Sequence, residues 1–330
     1  MKLPHRRKFL HLAAGAAALP AMSRVARAQA YPSRPITIVV GAAAGGPTDT
    51  IGRIITERMR NVLGQAIVIE NNGAAAGSIA HGRVARAAPD GYTLSLGHWG
   101  THVVNGAVYS LSYDTLKDFE PVAPISTSPY FIVGKLGLPV NDLKQLVAWI
   151  KANGDKGSQG TAGAGSPGHI GGVLLQSILG TRWVFVPYRG ASPVMQALLA
   201  GEYDWTFTTP DQSLPQFRAG RVKPYAITAK SRMTHAPDVP TTDEAGLPGF
   251  YLSNWHALWA PKGTPQEIAA KLNASVVAAL AEPAVRARLD DLGQEVFPSA
   301  QQTPQMLGAL HQAEIDKWWP IIKDAGIKPE

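Results

Sequence analysis

Two glycine-rich turns, about 120 residues apart, constrain this chain more than any other feature. The first reads Gly41-Ala-Ala-Ala-Gly-Gly-Pro-Thr-Asp49 and the second Gly163-Ala-Gly-Ser-Pro-Gly-His169. Each precedes an amphipathic stretch and is read as the opening of a helix. A helix entered this way presents unpaired backbone N–H groups and the positive end of its dipole at one point. Each turn is therefore a potential anion seat. Two seats in two halves of an α/β chain suggest an acid held between two lobes.

From Tyr31 onward, short β-branched runs alternate with longer amphipathic ones, the pattern of βα units around parallel sheets. Strands are expected at 36–40, 66–70 and 93–96, with helices at about 48–63 and 78–88. A second unit begins near Tyr130. Asn141-Asp142 caps a helix that carries Leu143, Leu146, Val147 and Ile150 on one face. Strands follow at 159–162, 184–186, 204–207 and 222–228, and helices at 168–179, 193–199 and 214–219. After an apolar stretch at 251–260, three helices (265–281, 283–292 and 303–325) close the chain. Pro265 and Pro283 sit where a first helical turn tolerates them. These helices have no sheet of their own beyond 295–297, so they are expected to return to the first unit. That predicts one lobe from 31–130 plus 251–330, a second from 131–250, and a hinge at the crossings near Tyr130 and Phe250.

A chain of 330 residues is long enough for two cores. Its formal charge of +7 invites a nucleic-acid reading until the charges are located. Lys2, Arg6, Arg7, Lys8, Arg24 and Arg27 lie in residues 1–30, which hold no acid; beyond them stand 25 basic and 24 acidic residues. No nucleic acid is expected. The basic start, the apolar run from Phe9 to Ala21 and Ala28-Gln-Ala30 form an export signal with a small-x-small cleavage site. Arg6-Arg7 followed by Phe9-Leu10 resembles a twin-arginine signal, the alternative being an ordinary Sec signal. No run reaches the roughly 18 apolar residues of a membrane span. A soluble periplasmic protein, freed of residues 1–30, is expected. The absence of cysteine excludes disulfides, thiolate chemistry and a lipobox anchor.

Several motifs have competing readings. Gly163-x-Gly165-x-x-Gly168 has the form of a dinucleotide fingerprint, yet the first acid after it is Glu202, too late for the ribose. Ser166 and His169 invite a hydrolase, but Ala164 replaces the first glycine of a nucleophile elbow and no Asp is spaced to orient His169. Donation of hydroxyl and imidazole protons to a carboxylate is the favoured role. His98 and His102 stand four apart, but Trp99 occupies the place of the zinc-protease glutamate, so no metal is expected. Asp49 either caps its helix or positions ligand and water. Trp99 follows a strand end, where cleft residues collect; core packing is the alternative. Trp318 and Trp319 are expected to pack the last helix, and Trp255 and His256 to serve the hinge or core. Tyr188 and Arg189 follow a strand, and Arg189 either neutralises a distal carboxylate or bridges the lobes.

An ordered set of segments carries a family resemblance. It includes Gly45-Gly-Pro-Thr-Asp49, Glu70-Asn-Asn-Gly-Ala-Ala-Ala-Gly77, Ala88-Pro-Asp-Gly-Tyr-Thr-Leu94, and Gly100-Thr-His102 with Asn105. Asp114-Thr-Leu-Lys-Asp-Phe119, Gly165-Ser-Pro-Gly-His169, Val186-Pro-Tyr-Arg-Gly190, Arg218-Ala-Gly-Arg-Val222, Pro237-Asp-Val-Pro-Thr241 and Glu244-Ala-Gly246 follow. Together they resemble the Bug/TctC family, periplasmic solute receptors of tripartite tricarboxylate transporters. The resemblance implies an α/β, two-lobed type II periplasmic-binding-protein (clamshell) fold with a ligand cleft between the lobes. It implies a carboxylate held by backbone N–H groups and waters at the two turns. Gly45, Gly46, Thr48 and Asp49 fall on one side and Gly165, Ser166 and His169 on the other. Ala44, Trp99, Thr101, Tyr188, Arg189 and Thr209 are the further cleft candidates. The implied partner is a permease with one small and one large membrane subunit, served by a monomer without cofactor or catalysis. A sensor feeding a signalling receptor shares this architecture, and an exported serine hydrolase is the remote alternative.

Where the chain departs from the family pattern, the ligand is addressed. Gly41-Ala42 replaces a usual Pro-aromatic pair, which predicts a less bulky cleft wall, and Trp99 replaces a small or polar residue. Thr208-Thr209 stands near a frequent acid, whose loss removes repulsion of a second anion or a partner for an ammonium. These departures favour a diacid, possibly aromatic, over an amino acid.

Overall fold

Ile36, Ile38, Val39 and Val40 have no accessible surface, so the run Ile36–Val40 (β1) sits inside a sheet covered on both faces. The computed structural model describes residues 31–188 and 190–327; the expected export signal and Arg189 lie outside the described residues. Around β1 the first sheet gathers β2 (Ile67–Asn71), β3 (Thr93–His98) and β4 (Phe119–Pro129). From the far end of the chain it takes β10 (Ser253–Pro261) and β11 (Glu295–Val296), in the order β11-β4-β10-β3-β1-β2. The second sheet, ordered β7-β6-β8-β5-β9, holds β5 (Phe131–Lys135), β6 (Ser158–Thr161), β7 (Val184–Pro187), β8 (Trp205–Thr208) and β9 (Val222–Ile227).

The sheets are mixed rather than parallel throughout. β2 and β3 run parallel to β1, but β10 is antiparallel to both β3 and β4. In the second sheet β6 is parallel to β7 and β8, while β5 is antiparallel to β8 and β9. The unanticipated strand is β4, whose Pro121, Pro124 and Pro129 argue against a strand. It survives because its register against β10 shifts beside two of these prolines, at His256/Ala257 and Leu258/Trp259. On its other side β11 pairs only with Ser126 and Thr127, so the prolines deprive no ladder there of a donor.

Local chemistry sets the helices. α1 (Pro47–Leu63) starts with proline at its first position and stops at Gly64, whose left-handed φ of 68° lets its amide bond Arg60. α2 (Ser78–Ala85) and the short α3 (Asn105–Val108) follow β2 and β3. A π-helical turn, Gly100–Val104, leads into α3. Asp142 caps α4 (Leu143–Asn153) by accepting the Gln145 amide at 2.7 Å. The second lobe adds α5 (Pro167–Leu179), α6 (Ala191–Ala200) and α7 (Pro210–Arg218). The closing helices α8 (Gln266–Ala281), α9 (Pro283–Asp291) and α10 (Pro304–Asp324) return to the first sheet. α8 and α9 share a core with α1 through Leu272, Val276, Leu289, Ile51 and Ile55; α10 packs on the opposite face through Leu307, Ile315 and Trp318.

The chain passes between the sheets at Tyr130 and again at Phe250–Leu252. Thr228, at the end of β9, ties the crossings together. Its hydroxyl lies 2.5 Å from the Leu252 carbonyl and 3.0 Å from that of Tyr130, and its amide donates to Tyr130 at 2.8 Å. Beside this point the lobes also touch through His235 Nε2 and Asp290, 2.8 Å apart.

Candidate functional site

The two glycine turns are structural twins. Gly45 and Gly165 adopt left-handed φ values of 77° and 75°, which L side chains rarely adopt. The next residue is extended in both (Gly46 ψ 171°, Ser166 ψ 154°) and is followed by proline at the first helical position. Both turns close with an i to i+3 bond, Gly46 N–H to Ala43 at 3.2 Å and Ser166 N–H to Gly163 at 3.1 Å. In both, the side chain four residues on reaches back to the glycine amide. Gly45 donates to Asp49 Oδ2 at 2.8 Å, and Gly165 donates to His169 Nδ1 at 3.1 Å.

These bonds alter the expected roles of Asp49 and His169. Both hold a turn in shape, the reach-back half of a capping box. Ser166 supplies the other half, accepting the His169 amide at 3.4 Å. Burial pushes the Asp49 carboxyl up, but bonds from Arg53, the Gly45 amide and Asn71 outweigh it and hold the group below the usual carboxylate range. An Nδ1 that accepts a backbone N–H carries no proton, so this geometry requires neutral His169 with its proton on Nε2. Ser166 Oγ and His169 Nδ1 are thus both engaged with backbone amides of the turn, at 3.4 and 3.1 Å.

With Gly45 and Gly165 engaged, other amides of the turns are left to bind a ligand. Those of Thr48 and Asp49 in the first turn, and Ala164 and Gly168 in the second, have no hydrogen-bond partner among the described residues. Both turns converge on one segment, Gly100–Val108. Asn105 Nδ2 donates to the Ala76 carbonyl at 2.8 Å, and the loop carrying Ala76 lies directly on the first turn. A Cβ on Gly77 would sit 2.4 Å from the Gly41 carbonyl oxygen. One helical turn beyond Asn105, Val108 lies 3.6 Å from where a Gly165 Cβ would stand. Both turns lie at the carboxyl ends of parallel strands, where ligand crevices form in α/β sheets.

The remaining candidates divide. Ala44, Gly45 and Gly46 are on the open side of the first turn, and Thr48 is buried with its hydroxyl 3.3 Å from His256 Nε2. Trp99, expected as a ligand contact, has no accessible surface and meets Trp318 edge-on at 5.2 Å. The chain after β3 turns inward as a π-helix and carries the indole into the core, so that expectation is corrected. Thr101 is also buried, its hydroxyl spent within the turn on the His98 amide and carbonyl, both at 3.0 Å. Tyr188 donates to Glu202 at 2.9 Å within its own lobe. Thr209 precedes α7 and accepts from the Ser213 hydroxyl through its carbonyl. Gly41 leaves no open wall either: a Cβ there would stand 2.2 Å from His81 Nε2, so an imidazole fills the expected space from within.

His81 belongs to a buried belt that sequence reasoning missed. His81 Nδ1 lies 2.8 Å from Ser95 Oγ, which lies 3.3 Å from His102 Nε2; the His102 ring stacks on Trp259 at 3.8 Å. His311 Nε2 bonds the His102 carbonyl at 2.7 Å, and His98 and His256 lie 5.9 Å apart. Burial pushes these imidazoles down, His81 and His256 to about 3, His98 and His311 to about 4, and His102 well below its ordinary value. The belt is neutral and braces the floor under both the first turn and Gly100–Val108.

Two lobes joined by paired crossings, each with a glycine turn between a strand end and a helix, have the architecture of the periplasmic-binding class of solute receptors. The profile of the tripartite tricarboxylate transporter family receptor matches residues 51–327, and the chain belongs to that family. Among solved structures it is similar to the periplasmic binding protein BugD, at 38% identity and a TM-score of 0.77 over 91% of this chain and 100% of that one. MatC of Rhodopseudomonas palustris with bound malate is 42% identical, TM-score 0.77, over 88% and 100% of the two chains. Rpa4515 of R. palustris with adipate is 33% identical, TM-score 0.79, over 91% and 100%.

Proposed function

We propose that this protein captures a dicarboxylate in the periplasm and delivers it, as a monomer, to a permease with one small and one large membrane subunit. The observation that carries this reading is the pair of twin turns with unpaired amides, one in each lobe, converging on Gly100–Val108. One ligand carboxylate sits between them, taking N–H groups from Thr48 and Asp49 on one side and Ala164 and Gly168 on the other. The Ser166 hydroxyl accepts a backbone amide through a lone pair and keeps its proton to donate. Ala44, Gly45, Gly46 and Gly165 set the backbone of the seat, with Thr209 at its margin. The malate and adipate of the two relatives are both dicarboxylates, which supports an acid with a second acid group. Capture involves no covalent step. Ligand stabilises the closed lobes, and the closed form is the one the permease reads. An export signal in residues 1–30 delivers the protein to the periplasm, with lobes divided at 131 and 250.

Thermal melts and calorimetry of residues 31–330 with a panel of mono-, di- and tricarboxylates test the proposal. A site ligand at 100 times its dissociation constant adds about 2.7 kcal/mol of stability. Absence of a shift with every carboxylate would remove the seat.

A further inference from the structure

A cavity of about 740 Å³ lies between the lobes beside the second glycine turn. One wall is a single face of α5, which presents His169, Val173 and Gln176 at the i, i+4, i+7 spacing. The other is the end of α10, with Ile321 and Asp324. Phe185 floors the near end, edge-on to His169 at a ring separation of 4.6 Å, and Arg182 stands at the far end. His169 is thus common to cavity and turn, since the same ring accepts the Gly165 amide. The lining is mixed: Val173, Phe185 and Ile321 supply apolar surface, and Gln176, Arg182 and Asp324 supply polar and charged groups.

The dimensions select a ligand. From His169 to Gly180 the helix rises about 16 Å, at about 1.5 Å per residue. Arg182 lines the same cavity two residues beyond Gly180, and an arginine side chain is long enough to bring a guanidinium to on the order of 10 Å from the turn. Arg182 is exposed and has no ion pair or hydrogen bond among the described residues. Asp324 across the cavity is unpaired in the same sense, so the site holds one attracting and one repelling charge for an anion.

We propose that this cavity is the subsite for the far half of the ligand, which is a dicarboxylate whose acid groups are separated by an apolar spacer of about 10 Å. The near carboxylate occupies the glycine turns, the spacer lies on Val173 and Phe185, and Arg182 takes the far carboxylate bidentately. The inference rests on the carboxylate seat proposed above.

Calorimetry with linear dicarboxylates from succinate to dodecanedioate, beside the matching monoacids, is the test. Decanedioate is expected to bind about tenfold or more tighter than succinate. Arg182→Ala should bring decanedioate down to the level of decanoate, and Asp324→Asn should tighten it. Val173→Trp, which fills the passage next to His169, should collapse the ratio of decanedioate to succinate affinity towards one. Affinity that is flat or falls with chain length, or an Arg182→Ala effect equal for all lengths, overturns the subsite and leaves the seat intact. No binding by any length overturns the seat and the subsite with it.

Discussion

Gly41 and Asp49 show how single residues prepare the first turn. A methyl group at 41 collides with His81 Nε2 and approaches the Gly77 backbone. Gly41→Ala is therefore expected to cost about 1–3 kcal/mol in urea unfolding. Pairing it with His81→Ala should recover about 1 kcal/mol of that loss in a double-mutant cycle, whereas strict additivity would mean the two residues do not compete for space. Asp49→Ala removes the reach-back bond to Gly45 and should cost about 1 kcal/mol, while Asp49→Asn keeps an acceptor there and should lose less. If Asn is as damaging as Ala, the charge rather than the bond shapes the turn. The glycines and the prolines two residues after them were legible in the sequence because a left-handed residue, then an extended cap, then proline fits such an entry. The inward course of Trp99 was not, since Thr101, Val103 and Val104 are β-branched and argue against the helical turn they form.

Among the elements, α1, α5 and α10 could be read to within a residue or two, each carrying its own start signal: proline at the first position, with a hydroxyl cap on α5 and α10. The strand β4 could not, because its prolines are tolerated only through shifts in its pairing with β10 that no local pattern announces. The crossings were foreseeable from the homeless C-terminal helices, but their clasp was not, since Thr228 lies 98 residues from Tyr130 and 24 from Leu252. Thr228→Val keeps the shape and removes the hydroxyl that meets both crossings. The lobes should then move more freely, seen as a larger radius of gyration by small-angle scattering without ligand. Unchanged scattering together with unchanged ligand affinity would reduce Thr228 to a packing role.

For the molecule as a whole, the neutral histidine belt sets acid tolerance. Each imidazole has a folded pKa below the ordinary 6.5, so the unfolded chain takes up protons that the folded one refuses. The belt's contribution is complete above about 6.5 and is lost as pH falls towards 4, by at most about 1.4 kcal/mol per pH unit per group. Melting temperature should fall steeply between about pH 6.5 and pH 4, and His81→Asn with His311→Gln should flatten that slope. A profile level across this range would show that water reaches the belt. The twin turns have a last consequence, which concerns symmetry. A carboxylate carries a twofold axis along its C–C bond, and in the seat proposed above two like turns offer its two equivalent oxygens matching sets of donors. A sulfonate, with three oxygens about a threefold axis, has no such match, and should bind far more weakly than the carboxylate of the same skeleton.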